Sequence, residues 1–336
     1  MPTAARAVLP FIALAVSLAA PSVPTASAAD APSTGGRLTL QELRARYLRP
    51  QDHLVTIGGV EVRYRDEGRG PAVLLLHGSN STLETYDGMV ERLKSHYRLI
   101  RFDTPPVGLS GSVSDAAIAS LPSPEALMTG LLDSLKIPSV VAVGVSSGGT
   151  MAYYLAGAEP QRVCALILAN TPSDPVDTSG VRNPPELEAA KAAAARTGVG
   201  DRDFWWAYFR FLYGDPGRIT PALIERLYDM NRRVPEAHPL HLYALTAHNE
   251  VTLARLAAVR APTLLVWGMR DPVLPYRTAV ALRDHLTGTT ASLLLLDDVG
   301  HYPTLEVPDR FAAILRNYVE AVLTASSSCS AVSSRR

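Results

Sequence analysis

Apolar and polar residues alternate along this chain in blocks that predict buried strands separated by helices. Short, continuous apolar runs are typical of strands covered on both faces. They lie at residues 72–76, 99–102, 139–143, 163–169, 263–267 and 292–296. Residues 53–57 and 60–65, separated by Gly58 and Gly59, predict a hairpin. Helical patterns cover residues 39–47, 124–135, 150–158, 277–285 and 309–323. This order predicts an α/β protein with a doubly wound, mostly parallel sheet.

The segment 171–250 interrupts the alternation. It is rich in proline, arginine and aromatic residues and has no apolar strand run, so we expect several helices there. An insert between two strands of such a sheet predicts a lid over their carboxyl ends, where these sheets bind ligands. Seven aromatic residues fall within residues 204–213. They either line an apolar pocket or pack the lid on the core, and we expect packing to account for most. Arg232 and Arg233 are candidates for binding a substrate carboxylate.

The amino terminus predicts an export signal. Arg6 precedes an apolar stretch over residues 7–20, and residues 26–28 read Ala-Ser-Ala, a typical cleavage site. We therefore expect a signal peptide over 1–28, an exported protein and no stable membrane span after cleavage, with an uncleaved anchor as the alternative. The remaining boundaries are an extension over 29–50, core parts over 51–170 and 251–325 around the lid, and a disordered tail over 326–336.

Composition excludes several function classes. The formal net charge is +0, from 32 basic and 32 acidic residues, without a dense Lys/Arg block. Nucleic-acid binders carry a basic footprint, so we expect no nucleic-acid partner. The histidines form no HExxH motif and stand near no carboxylate cluster, so we predict neither a metal nor a cofactor. A small molecule is the expected partner, bound by a monomer or a small homo-oligomer.

A glycine-flanked serine follows one predicted strand. Residues 144–149 read Gly-Val-Ser-Ser-Gly-Gly, directly after the apolar run 139–143 and before a helix. A strand, a sharp turn with Gly-x-Ser-x-Gly and a helix form the context of a nucleophile elbow. Glycines at 144 and 148 are expected because a Cβ there would clash. Ser146 is therefore a candidate nucleophile.

A serine hydroxyl needs a base to remove its proton and an acid to orient that base. Asp271 follows the run 263–267, and His301 follows the run 292–296. The order Ser146, Asp271, His301 is the order expected with this elbow. Asp174, after the run 163–169, is an alternative acid, and we favour Asp271.

These motifs together resemble the lid-bearing, single-domain α/β-hydrolases over about residues 50–325. The matching pieces are His77-Gly78, residues 144–149, Trp267-Gly268-x-x-Asp271-x-x-x-Pro275, and Gly300-His301-x-Pro303-x-x-Glu306-x-Pro308. The resemblance implies that Ser146 is the nucleophile, His301 the general base and then acid, and Asp271 the orienting carboxylate. It further implies an oxyanion hole from the backbone N–H groups of Ser79 and Ser147. The residues expected to support the elbow and its loops are His77, Gly78, Gly144 and Gly148.

The resemblance implies hydrolysis of a small or medium carboxylic ester. Perhydrolysis, lactone opening and carbon–carbon bond hydrolysis on the same scaffold remain alternatives, as does a receptor that kept the fold without turnover. One departure lies in residues 103–110. This stretch reads Asp-Thr-Pro-Pro-Val-Gly-Leu-Ser, whereas the family often has Asp-x-Arg-Gly-x-Gly-x-Ser. Contacts of this loop are therefore expected to differ.

Overall fold

One sheet of eight strands organises the part of the chain that the computed structural model describes, namely residues 36–121, 123–174, 181–235 and 250–325. The strands are β1 (His53–Ile57), β2 (Val60–Gly68), β3 (Ala72–Leu76), β4 (Arg98–Phe102), β5 (Val140–Val145), β6 (Val163–Ala169), β7 (Thr263–Gly268) and β8 (Ala291–Leu296). Their spatial order is β1-β2-β4-β3-β5-β6-β7-β8. The first two pairs in this order are antiparallel and the remaining five are parallel. The predicted mostly parallel α/β fold is confirmed.

Helices connect the strands and cover the sheet. They are α1 (Leu40–Tyr47), α2 (Asp87–Leu93), α3 (Asp115–Ser120), α4 (Pro124–Ser134), α5 (Ser147–Ala158), α6 (Pro185–Thr197), α7 (Arg202–Leu212), α8 (Pro221–Asn231), α9 (Glu250–Ala258), α10 (Tyr276–His285), α11 (Pro303–Glu306) and α12 (Pro308–Ala325). Every residue of β3, β5 and β7 is buried. This burial explains their unbroken apolar sequences, because helices lie on both faces of a doubly wound sheet.

The strand predictions for the parallel part of the sheet agree with the structure to within two residues at either end. Helix α5 begins at residue 147 instead of 150, directly after the candidate nucleophile. Glycines at 148 and 149 weaken the helical pattern there, whereas packing against the sheet stabilises the helix. The predicted signal peptide and the predicted tail lie outside the described residues, as do 175–180 and 236–249 of the predicted lid. Between these two gaps, α6, α7 and α8 form the helical insert. No helix among the described residues has the length and apolarity that crossing a membrane requires.

A buried arginine fastens the antiparallel end of the sheet. The Arg63 side chain on β2 is 0% exposed and lies 3.0 Å from Asp52, 2.5 Å from Glu84 and 3.0 Å from Asp103. Burial alone would raise the pKa of Glu84, but Arg63 outweighs it and lowers this pKa to about 2. Since that value lies below the ordinary 4.5, the pair stabilises the fold above about pH 4.5 and loses its effect as the pH falls toward 2.

The loop 103–110 uses arginines from elsewhere in place of the one absent from its sequence. Arg63 Nη1 donates to the Asp103 carboxylate, which also accepts the Leu109 N–H at 2.8 Å. Arg233, just after α8, donates from Nη1 to the carbonyls of Pro106, Gly108 and Ser110. The contacts of Arg233 join the loop to the helical insert.

We predict that Arg63→Met destabilises the protein by about 3–5 kcal/mol, because it removes the cation that pairs with the buried Asp103 and one of the two cations that pair with Asp52 and Glu84. Urea unfolding at neutral pH measures this change. Arg92→Met is the matched control, since Arg92 and Asp309 form an ion pair with side chains 57% and 65% exposed. Solvent screens such an exposed pair, so we expect little change in stability. Equal losses in the two variants would contradict the role assigned to the buried cluster.

Candidate active site

Ser146 occupies a strained turn between β5 and α5. Its backbone has φ 54° and ψ −128°, which costs a non-glycine residue about 1–3 kcal/mol. A Cβ on Gly144 would overlap the backbone of Gly148, and a Cβ on Gly148 would overlap the carbonyl oxygen of Leu76. The two glycines therefore permit the close packing that holds the serine in this conformation. The first turn of α5 also places its partial positive charge beside Ser146.

The ends of β7 and β8 bring an acid and a histidine together. Asp271 follows β7 by three residues, and His301 follows β8 by five. The Nδ1–H of His301 donates to Asp271 Oδ2 at 2.7 Å, and the two residues are 5% and 6% exposed. The other oxygen of Asp271 accepts the N–H groups of Val273 and Leu274 at 2.8 and 3.0 Å. The carboxylate is thus fixed on one side by backbone and presents its other oxygen to the imidazole.

Asn170 is a site residue that the sequence interpretation missed. It lies just after β6, is fully buried and has a positive φ of 40°. Its Nδ2 donates to Asp271 Oδ2 at 2.7 Å, while its Oδ1 accepts the Gly268 N–H at 3.0 Å. Asn170 therefore orients Asp271 and the end of β7 together. The sequence signal that could have identified Asn170 is a single amide side chain directly after a fully apolar strand.

Asp174, the alternative acid, has a different partner. Its two carboxylate oxygens lie 2.9 and 3.0 Å from His285 Nε2, on α10. Ser173 also donates to it, at 2.8 Å. Among the described residues His301 hydrogen bonds to Asp271 and not to Asp174, which favours Asp271 as the orienting acid.

Two backbone N–H groups near Ser146 are available to a ligand. Within the described ranges, neither the N–H of Ser79 nor that of Ser147 donates a hydrogen bond. The hydroxyls of the two residues lie 3.0 Å apart, so the loop after β3 meets the first turn of α5. A Cβ on Gly78 would lie 3.1 Å from the Cβ of Ser146. This separation brings the loop after β3 against the serine.

His77 supports the loop after β3. Its Nδ1 donates to the carbonyl of Gly78 at 2.8 Å, and its Nε2 accepts the N–H of Thr104 at 3.0 Å. Burial lowers its pKa, which keeps the imidazole neutral in this arrangement. Both ring nitrogens are occupied by backbone partners, so His77 holds the loop in place and does not serve as a base.

The helical insert contacts both sides of the site. Asn231, at the end of α8, donates to the carbonyl of Asn80 at 3.0 Å. Phe209 on α7 stacks on Tyr302 with ring centroids 5.8 Å apart, and the Tyr302 hydroxyl donates to the carbonyl of Ser79 at 2.9 Å. Tyr302 therefore joins the loop after β3 to the loop that carries His301, and its ring lies against α7.

The aromatic run mainly packs the insert onto the core, as expected. Phe204, Trp205, Tyr208 and Phe209 are buried and contact one another through ring faces and edges. The two arginines after α8, candidates for binding a substrate carboxylate, both have protein partners. Arg233 donates hydrogen bonds to three carbonyls of the loop 103–110. Arg232 pairs with Asp229 at 2.7 Å and lies over the ring of Tyr228.

A cavity of about 250 Å³ lies between residues 80–88 and α8. Asn80, adjacent in sequence to Ser79, forms part of its wall, but Ser146 and His301 do not. Leu223, Leu227 and Met230 provide apolar surface on the side of α8. The cavity therefore extends from beside the loop after β3 and not from the serine itself. Across the part of the chain that is described, no three His, Cys, Asp or Glu side chains are grouped as a metal site would require.

Known proteins resemble this chain in sequence and in fold. A family model described as the alpha/beta hydrolase fold matches residues 71–308. The chain is 28% identical over 264 residues to a pimeloyl-acyl-carrier protein methyl ester esterase of Nitrosospira multiformis, covering 76% of this chain and 97% of that protein. It is 22% identical over 263 residues to 3-oxoadipate enol-lactonase 1 of Acinetobacter baylyi, covering 78% and 94%. A solved thermophilic esterase from Thermogutta terrifontis shares the fold, with a TM-score of 0.61, 24% identity, and coverage of 81% and 99%.

We predict that Asp271→Ala removes the low-field NMR signal of the His301 Nδ1 proton, because the variant lacks its acceptor. Asp174→Ala is the matched control and leaves this signal in place, since Asp174 contacts His285. Proton spectra of the folded variants, with His301→Ala to assign the signal, measure both effects. Survival of the signal in Asp271→Ala, or its loss in Asp174→Ala, would reverse the choice of acid.

Proposed function

The chain is an enzyme of the α/β-hydrolase fold family, and on that premise we propose that it is a serine hydrolase of a small or medium carboxylic ester. The observation that carries the proposal is the 2.7 Å hydrogen bond between His301 and Asp271, at strand ends beside the elbow of Ser146. A strained serine, a buried acid and a histidine in this chain order are the parts of an acyl-transfer site.

The reaction follows from the roles of these three groups. Ser146 Oγ attacks the ester carbonyl carbon while His301 Nε2 takes the hydroxyl proton. Asp271 keeps the Nδ1 proton of His301 in place and stabilises the imidazolium that forms. Collapse of the tetrahedral intermediate breaks the ester C–O bond, and His301 returns the proton to the leaving alcohol. Water then attacks the acyl-enzyme, with His301 again as base, and releases the acid and free Ser146.

The developing oxyanion needs donors that are already in position. The N–H groups of Ser79 and Ser147 make no other hydrogen bond within the described residues, and their side chains contact each other. Donors arranged in advance avoid reorganisation at the moment of reaction, and one such donor contributes about 3–4 kcal/mol to transition-state stabilisation. The dipole of α5 acts in the same direction.

Substrate size is proposed from the helical insert. Its helices α8 and α7 contact the loop after β3 and Tyr302 beside His301, and an insert at this edge of the sheet supports a small or medium ester over a polymer. A lactone presents the same acyl chemistry, and the likeness to an enol-lactonase keeps lactone opening as the second candidate. A panel of linear esters and lactones distinguishes the two, because the preferred class shows the higher kcat/KM.

We predict that Ser146→Ala lowers kcat on short p-nitrophenyl esters by about 10⁴-fold or more, since it removes the nucleophile of the unit. Ser173→Ala is the matched control, because Ser173 contacts Asp174 in the other His–Asp pair, and its rate stays near that of the wild type. Steady-state release of p-nitrophenol measures both variants. Wild-type turnover in Ser146→Ala would contradict the assignment of the nucleophile.

Export is the second part of the proposal, and it rests on residues 1–28, which lie outside the described residues. We predict that the mature protein begins at residue 29 in the extracytoplasmic fraction, because residues 26–28 form the cleavage site. Mass spectrometry of the amino-terminal peptide from each cell fraction measures this. Protein that keeps residues 1–28 in the cytoplasmic fraction would contradict export. Protein that keeps them in the membrane fraction would favour the uncleaved anchor.

A further inference from the structure

The turn that follows α7 lies directly against the loop of His301. The N–H of His301 donates to the carbonyl of Leu212 at 2.8 Å. Arg270, in the loop that precedes Asp271, donates from Nη1 to the carbonyl of Gly214 at 2.9 Å. The last residues of this insert helix are therefore part of the backbone that holds the imidazole. Movement of the turn would change the position of His301.

The carboxylate of Glu306 bridges this turn and the histidine loop. Its Oε1 accepts the N–H of Gly300 at 2.8 Å, and its Oε2 accepts the N–H of Gly214 at 2.8 Å. The backbone of Asp215 also hydrogen bonds to it. The Glu306 side chain is 0% exposed. One buried carboxylate thus fixes both the residue just before His301 and the turn that follows α7.

Backbone donors, more than cations, hold the Glu306 carboxylate. The charged or titratable side chains around it are Arg218, Asp215, Asp298, Arg310 and Tyr213. Arg218 is the cation facing Glu306, at 3.7 Å, but it is closer to Asp298, at 2.7 Å. Arg310 pairs with Asp298 as well, also at 2.7 Å. The two glycine N–H groups therefore provide the short contacts of Glu306.

Protonation would weaken this bridge. Burial raises the pKa of Glu306 to about 7 in spite of the N–H groups it accepts. A proton on either oxygen would turn an acceptor into a donor that faces a backbone N–H, which leaves one buried donor without a partner.

We propose that Glu306 is a positioning residue for His301, acting through its bridge from Gly300 to Gly214. The bridge holds the imidazole in its hydrogen bond to Asp271. The proposal rests on the proposed function, in which His301 is the general base. Glu306 itself touches neither substrate nor a reacting atom.

Glu306→Gln tests the role, because the amide group has one acceptor oxygen and would turn its NH₂ toward a backbone N–H. We expect kcat to fall about 10- to 100-fold at about pH 8 with KM little changed, because misplacement of a catalytic base costs rate and not substrate binding. The fall of kcat/KM toward low pH becomes less steep in the variant, because the variant has no Glu306 carboxylate to protonate. Asp298→Asn is the matched control from the same junction, and we expect its kcat to stay within about twofold.

Stability separates a positioning role from a merely structural one. The folded pKa of about 7 lies above the ordinary value of 4.5, so the contribution of Glu306 to stability is fully present below pH 4.5. It is lost as the pH rises through 7. At about pH 8 the glutamine variant must remain folded while its turnover falls, and urea unfolding at this pH measures that. As the pH is lowered to about 5, wild type gains stability over the variant.

A measurement on the wild type alone keeps the inference independent of turnover and of variant folding. ¹³C NMR of the Glu306 carboxyl and proton NMR of His301 Nδ1 are followed between about pH 6 and pH 8. We expect the His301 signal to shift with the midpoint of Glu306. An unchanged kcat and acid limb in Glu306→Gln, a rate loss matched by unfolding, or independent NMR titrations would overturn the proposal. Absence of ester hydrolysis in wild type with linked titrations would instead overturn the proposed function.

Discussion

Close packing at the turn between β5 and α5 is the constraint on which the site depends. Ser146 keeps a positive φ there because neither Gly144 nor Gly148 has a side chain that would separate the strand, the helix and the loop after β3. Strain of this kind persists only where the surroundings fix it from several sides. The buried parallel strands and the packed α5 supply that surrounding. The hydroxyl is thereby presented at the carboxyl edge of the sheet, where ligands of such folds bind.

The other groups of the site are connected to this edge by hydrogen bonds between strand ends. Asn170 joins the end of β6 to Asp271, and Asp271 joins the end of β7 to His301. Tyr302 then reaches the carbonyl of Ser79, which closes the path back to the loop beside the serine. The site is thus a chain of directed contacts across neighbouring strands. The helical insert participates through the turn at Leu212, whose carbonyl accepts the N–H of His301.

Local patterns in the sequence account for the features that arise locally. Unbroken apolar runs predicted the parallel strands, and the glycines around Ser146 predicted the elbow. Asp271 and His301 were found because each stands just after a strand. Long-range partners carry no such signal. Asn170 gave only a single polar residue after an apolar strand, and the buried role of Arg63 depends on carboxylates far apart in sequence, brought together by folding. The amino terminus through residue 35 lies outside the described residues, so export stays a prediction.

The central claim is that Ser146 is the nucleophile of a preorganised acyl-transfer site. A fluorophosphonate tests it most directly, because phosphonylation of a serine requires the activated hydroxyl and is independent of substrate choice. The folded protein is labelled, digested and mapped by mass spectrometry. We expect one adduct, on Ser146, which is lost when the protein is denatured before labelling. An adduct on another serine would contradict the assignment of Ser146 as nucleophile, and no adduct in the folded protein would favour a receptor that kept the fold without turnover.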